Sequence, residues 1–148
     1  MKKSIANLLV ICAVSLAAMS FDNPPVTEKV LKQFSASFPT VLDAKWFEGD
    51  NYYDVYFERE QIKYNIRYDR NGKILSTRNY YPGSKLSPFL KAKVGEKFPD
   101  KTIYGVTEIT NNEEMYFVIV LEDKTTWTNV QADAVGQLTV LEKLKKSE

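Results

Sequence analysis

The clearest hydrophobic pattern in the chain is YYDVYFE, residues 52–58. With a period of two, Tyr53, Val55 and Phe57 fall on one side of a strand, and Tyr52, Asp54, Tyr56 and Glu58 on the other. The same alternation puts Ile62, Tyr64, Ile66 and Tyr68 together, opposite Lys63, Asn65 and Arg67. Around these two segments the pattern predicts further strands at 44–48 and 74–81, with Gly49-Asp50-Asn51 and Asn71-Gly72 as breaks. Asn71-Gly72 is a two-residue hairpin signal, because both residues tolerate positive φ. A helix is predicted over 27–37: Thr27 is a candidate N-cap, Val30, Leu31 and Phe34 recur at helical spacing, and Phe38-Pro39 ends the run.

The order then repeats. Ser87-Pro88 opens a second helix, over 87–97, with a cap and a proline at its first position, and Phe98-Pro99 closes it. Strands are predicted at 104–110, 115–121, 125–132 and 137–141, with Val135-Gly136 in the place of Asn71-Gly72. The expected fold class is α+β: a tandem repeat of one helix plus an antiparallel four-stranded meander. The two copies form one continuous curved antiparallel sheet with both helices on one face. The divisions expected are a signal peptide at 1–20, a disordered lead-in at 21–25, repeats at 26–82 and 83–144, and a frayed tail at 145–148.

A sheet covered on one side leaves the other bare, and its twist curves that bare face into a trough. Aligning the two hairpin turns directs Thr126, Thr128, Val130 and Ala132 to the second helix, and Trp127, Asn129 and Gln131 into the trough. Tyr52, Asp54, Tyr56 and Glu58 join them from the second strand, and Lys63, Asn65 and Arg67 from the third. Arg78 and Tyr80 come from the fourth and Tyr116 from the second unit. Tyrosine, tryptophan and arginine with polar relief is the composition of interface hot spots, although these rings are also good strand residues. Trp127 is the expected anchor of a partner.

Composition narrows the chemistry. Of 148 residues none is histidine, and the one cysteine, Cys12, lies in the apolar stretch after Lys2 and Lys3. That stretch, closed by Ala18-Met19-Ser20, has the form of a secretory signal. It is too short for a membrane span, and Cys12 comes too early for a lipoprotein signal. The chain beyond residue 20 therefore has no thiol and no imidazole. Thiolate catalysis, zinc–sulfur sites and serine–histidine chemistry are excluded, and no catalytic residue, cofactor or metal is expected. Lys and Arg total 20 and Asp and Glu 19; without Lys2 and Lys3 the balance is 18 to 19, which offers nucleic acid no basic stripe. Asp54 with Glu58, or Glu113 with Glu114, reads better as solvated charge than as a catalytic carboxylate pair. Asp69-Arg70-Asn71-Gly72 lacks the remaining ligands of a calcium loop.

The leader, the paired helix–meander units, KQFSASFP, DAKWF, YYDVYF and YNIRYDRNGKIL resemble the PepSY-like exported proteins of Bacteroidetes. These are related in fold to the β-lactamase inhibitory protein, and the likeness spans residues 26–144. It implies a non-enzymatic binding module of the periplasm or the cell exterior. Such a module recognises a protein or peptide through its concave face and, by analogy, inhibits an exported enzyme. The alternative is a small molecule or glycan stacked on the same rings. Neither nucleic acid nor stable membrane insertion after signal removal is expected.

Overall fold

The computed structural model describes residues 24–112 and 114–147; the expected signal peptide and most of the lead-in lie outside them. Two helices, α1 (Glu28–Ser37) and α2 (Pro88–Lys97), each precede four strands. The first set is β1 (Lys45–Glu48), β2 (Tyr52–Arg59), β3 (Ile62–Asp69) and β4 (Ile74–Pro82). The second is β5 (Thr102–Asn111), β6 (Glu114–Glu122), β7 (Thr126–Asp133) and β8 (Leu138–Lys145). All eight strands form one sheet in sequence order, antiparallel at every junction.

The helix boundaries follow from local chemistry. The Ser87 side chain accepts the Leu90 amide at 3.3 Å, and Pro88 fills the position whose N–H would have no partner. Thr27 does not cap α1 with its side chain, contrary to expectation; its hydroxyl donates instead to the Arg70 carbonyl at 3.2 Å, tying the helix to the β3–β4 turn. Both helices stop at a phenylalanine before proline. The amides of Phe38 and Phe98 return to Phe34 and Val94, each at 2.8 Å.

The hairpin turns depart from the expected two-residue form. Gly72 donates to the Asp69 carbonyl at 3.1 Å and has φ of 89°, while Asn71 keeps negative φ. The loop is thus a type I turn with glycine in the left-handed position. Asp69 Oδ1 braces it by accepting the amides of Asn71 and Lys73. Asp133 to Gly136 repeats this geometry, with Gly136 at φ of 83° and Asp133 Oδ1 accepting the amides of Val135 and Gln137. The true two-residue turn is at β2–β3, where Arg59 pairs Ile62 and both Glu60 and Gln61 have positive φ. Neither residue signals such a turn, so the pattern of the sequence passes over it.

Two apolar clusters fill the core. Val30 and Phe34 of α1 pack with Trp46, Tyr53, Val55, Phe57, Ile66 and Tyr68. Leu90 and Val94 of α2 pack with Val106, Phe117, Ile119, Leu121, Val130 and Ala132. Register carries one row from Phe57 through Tyr64, Asn79, Glu108 and Phe117 to Ala132, so the sheet members of both clusters share a face. Between them that face is polar. Asn79 donates to Glu108 at 3.3 Å and the Tyr81 hydroxyl donates to the same carboxylate at 3.1 Å. Burial and the Glu108 charge push the Tyr81 hydroxyl well above the usual phenol range, so it remains a proton donor.

The tail is a correction. β8 runs through Lys145, Lys146 donates its amide to the Thr125 carbonyl at 2.8 Å, and its ammonium pairs with Glu122 at 2.9 Å. Residues 145 and 146 are therefore tied to the sheet rather than frayed.

The Glu60-Gln61 turn generates a test. Left-handed backbone costs an ordinary residue roughly 1–2 kcal/mol, and Asn-Gly relieves that cost at both positions. Replacing the pair by Asn-Gly should raise the stability measured by urea unfolding by about 1 kcal/mol.

Candidate functional site

Opposite the core side chains, register builds the other face in rows. The central row runs Lys45, Tyr56, Asn65, Arg78, Ile109, Tyr116 and Asp133. On one side of it lie Phe47, Asp54, Arg67, Ser76 and Asn111. On the other lie Glu58, Lys63, Tyr80, Thr107, Val118, Gln131 and Thr139. Tyr52 stands across from Asp69, Asn129 between Val120 and Glu142, and Trp127 between Glu122 and Leu144.

Three of the expected contact residues are occupied within the fold. Asp54 is only 7% exposed and accepts two bonds from Arg67, Nε and Nη2, both at 2.8 Å. This two-point pairing of planar groups is the strong form of the interaction. The guanidinium also stacks 3.9 Å from the centre of the Tyr52 ring. Gly49 packs under that ring so closely that a Cβ there would come within 2.3 Å of it. Asp54, Arg67 and Tyr52 are thus a structural brace at the β2–β3 end. Period two shows their shared face but not their mutual pairing.

Trp127 also turns to this face, opposite buried Thr128. It lies toward the far end of the face, where the Tyr104 ring meets it edge-on at 4.9 Å and the Lys146 ammonium lies 4.3 Å from its centre. It is half-buried in this cluster, away from Tyr56 and Arg78. Asn129 reaches Glu142 at 3.5 Å, and Glu58 faces Lys63 directly across the ladder.

The most exposed rings of the face are Tyr56, Tyr80 and two residues that the sequence pattern did not single out. Phe47 is 56% exposed and meets Tyr56 edge-on at 5.3 Å. Tyr104 is 63% exposed and occupies an irregularity between Ile103 and Gly105, where strict alternation no longer assigns a side. The alternation of Trp46 with Phe47 was a usable signal for the first; nothing local marks the second.

Two depressions cross this region, both open to solvent. One, about 320 Å³, is bordered by Lys45, Tyr56, Glu58 and Lys63. The other, about 390 Å³, is bordered by Lys63, Tyr80, Tyr104 and Val120. A third cavity, about 170 Å³ and more enclosed, lies between β3, β4 and β5 against Asn65, Arg67, Ser76, Arg78, Ile109 and Asn111. Another depression, about 650 Å³, is an open groove at the β6–β7 turn. There Asp123 pairs with Lys101 and accepts bonds from the Thr125 amide, at 2.9 Å, and from the Thr126 amide and hydroxyl, both at 2.7 Å. Lys101 above all, then the Thr125 amide and the Thr126 hydroxyl, hold the Asp123 carboxyl far below the usual carboxylate range.

No family model matches the chain, and no curated protein matches it in sequence. Solved structures do match. A DUF2874 family protein from Bacteroides ovatus ATCC 8483 superposes with a TM-score of 0.61 at 17% identity, over 84% of this chain and 89% of that one. A BLIP-like protein from Bacteroides fragilis NCTC 9343 gives 0.61 at 16% identity, over 82% and 86%. A candidate periplasmic protein from Bacteroides eggerthii DSM 20697 gives 0.59 at 13% identity, over 81% and 88%. The fold is BLIP-like. An eight-stranded antiparallel meander with two helices extends over nearly the whole described chain.

Two outcomes follow from these ion pairs. Asp54→Asn breaks the two-point pair while Arg67 keeps partial access to water, so urea unfolding should show a loss of about 1–3 kcal/mol. Asp123, with its folded pKa depressed below the ordinary 3.8, contributes stability above that value and loses it as pH falls below. Asp123→Asn should therefore be less stable than the parent at neutral pH. Thermal unfolding at a series of pH values should show the difference narrowing below about pH 4.

Proposed function

We propose that this chain is a non-enzymatic exported binding module that recognises a protein or peptide through the open face of its sheet. The observation that carries the reading is the set of exposed rings, Phe47, Tyr56, Tyr80 and Tyr104, left bare on a face with open rather than closed depressions. Apolar rings left in water across several strands suit a broad contact of roughly 800 Å² per partner. A small-molecule site is expected to enclose its ligand in a pocket of roughly 300–1,000 Å³. The enclosed cavity, at about 170 Å³, is smaller than that, which disfavours the small-molecule or glycan alternative.

In this reading the two halves are tandem PepSY-like units, and both helices cover the same side of the sheet. Matching Phe-Pro helix ends support it, as do the matched turns at Asp69 and Asp133. So does the approach of each turn glycine to the first turn of its helix, Gly72 to Lys29 and Gly136 to Phe89. The leader at 1–20 supports export, and among the described residues no helix is long and apolar enough to cross a membrane. Inhibition of an exported enzyme is the form of binding that the resemblance suggests.

The test is capture of a partner from the exported fraction of the native host by the tagged protein. The double variant Tyr56→Ala, Tyr80→Ala should weaken capture at least tenfold, since hot-spot truncations cost about 2 kcal/mol or more. Lys32→Ala, on the exposed side of α1, should leave it unchanged. Equal capture by parent and double variant would remove the open face from the function.

A further inference from the structure

The chain has six glycines, and the fold accounts for four of them. Gly72 and Gly136 hold positive φ, and a Cβ on Gly49 or Gly83 would come within 2.3 Å of the Tyr52 ring or 2.4 Å of the Ile103 carbonyl oxygen. Gly95 lies on the exposed side of α2 with open space around it. Gly105 is a different case. It sits inside β5, where glycine weakens a strand through backbone entropy and the missing side chain. Its φ is not in the left-handed region, and a Cβ there would meet the Tyr81 carbonyl oxygen at 3.9 Å and no closer neighbour. Neither backbone conformation nor packing requires glycine at this position. Register sets Gly105 between Pro82 and Val120 on the open face, and its bare backbone lines the depression of about 390 Å³ that Tyr80 and Tyr104 border.

We propose that the depression over Gly105 is the anchor site for an aromatic side chain carried on an acidic segment of the protein partner. The inference rests on reading the open face as a binding surface, and names what the partner presents to it. A strand glycine that the fold does not require lets another group lie directly on the backbone. Pro82 and Val120 flank it, each about 4.8 Å away across the ladder, so the gap is walled at its sides and open above. Tyr80 and Tyr104 add aromatic walls, and rings meet rings favourably in offset or edge-on contact with centres about 4.5–7 Å apart. The Tyr104 ring is already set edge-on against Trp127 at 4.9 Å, so this wall stands before anything binds. Charge selects the segment that carries the ring. In the two rows that hold Tyr56 and Tyr80, strands β1 to β5 contribute Lys45, Lys63 and Arg78 against Glu58, three positive charges to one negative. All four are exposed, and none makes an ion pair among the described residues. Such a surface steers an acidic segment toward the rings and opposes a basic one.

The experiment is a titration followed by NMR at the Gly105 amide and the Tyr80 and Tyr104 ring signals. The probes are three blocked tripeptides and phenol. One peptide has phenylalanine between two glutamates, one has leucine between two glutamates, and one has phenylalanine between two lysines. The first should shift all three signals saturably, bind at least threefold more tightly than any other probe, and weaken as salt is raised. Gly105→Val, which fills the gap, should lower its affinity at least tenfold, and Tyr104→Ala, which removes an exposed wall, should do likewise. Gly105→Ala should unfold in urea at a midpoint no lower than the parent's. A lower midpoint would show that β5 needs its glycine and would remove the premise. Linear drift without saturation, or equal affinity in folded Gly105→Val or in Tyr104→Ala, overturns the site. Equal affinity for the leucine peptide overturns the ring, and equal affinity for the lysine peptide overturns the acidic segment. Phenol binding as tightly as the first peptide overturns a protein segment as the source of the ring. Because the peptides need no partner, this result is separable from the capture experiment. Peptide binding without any captured protein would leave the anchor site standing and the protein-binding reading fallen. Capture lost in the Tyr56 and Tyr80 double variant but unchanged in Gly105→Val would do the reverse.

Discussion

The backbone ladder between β4 and β5 is the constraint on which the rest of the molecule depends. Each half has its own apolar cluster, organised by Val30 and Phe34 in one and by Leu90 and Val94 in the other, with Tyr81 of β4 packing against the second. What lies between them on the core face is Thr77 against Thr110, and Asn79 against Glu108. The seven residue pairs from Ser76–Asn111 to Pro82–Gly105 are what make one eight-stranded sheet instead of two four-stranded ones. Hydrogen bonds of this kind set geometry as much as stability, because each contributes only about 0.5–1.5 kcal/mol net while fixing the register of every side chain beyond it.

That register also creates the candidate site. Arg78 and Tyr80 belong to β4, whereas Ile109 and Tyr116 belong to the second half, and the ladder brings them into adjoining positions. A slip of one residue would turn Thr77 and Asn79 outward and bury Arg78. The polar pairs on the core side resist such a slip, since Glu108 accepts from both Asn79 and Tyr81 in the present register alone. The seam thus carries polar groups on both faces: hydrogen-bonded Asn79, Tyr81 and Glu108 on the core side, and exposed Arg78 on the other.

Aromatic residues divide into two populations that composition cannot separate. Phe34, Phe38, Phe57 and Tyr64 pack against one another with ring centres 4.7–5.8 Å apart, which is core chemistry. Tyr52 and Trp127 face outward yet are held by Arg67 and Gly49, or by Tyr104 and Lys146. Phe47, Tyr56, Tyr80 and Tyr104 are the rings on the open face that, among the described residues, are also substantially exposed. An outward ring is therefore not automatically an available one.

Period-two alternation, Phe-Pro helix ends and turn glycines were enough to read two helices and eight strands from the sequence, because each is set by interactions within a few residues. Of Thr126, Thr128, Val130 and Ala132, placed on the core side by aligning the turns, the last three are buried, and Thr126 is half-buried with its hydroxyl on Asp123. Alternation could not show that Asp54 is consumed by Arg67, that Trp127 is capped by Tyr104 and Lys146, or that Arg78 has no counter-charge among the described residues. Nor could it anticipate the Glu60-Gln61 turn or the place of Tyr104 at a break in register. Local pattern decides which way a side chain points; what it meets there is set by strands 13 to 23 residues away, and only the assembled sheet brings those together.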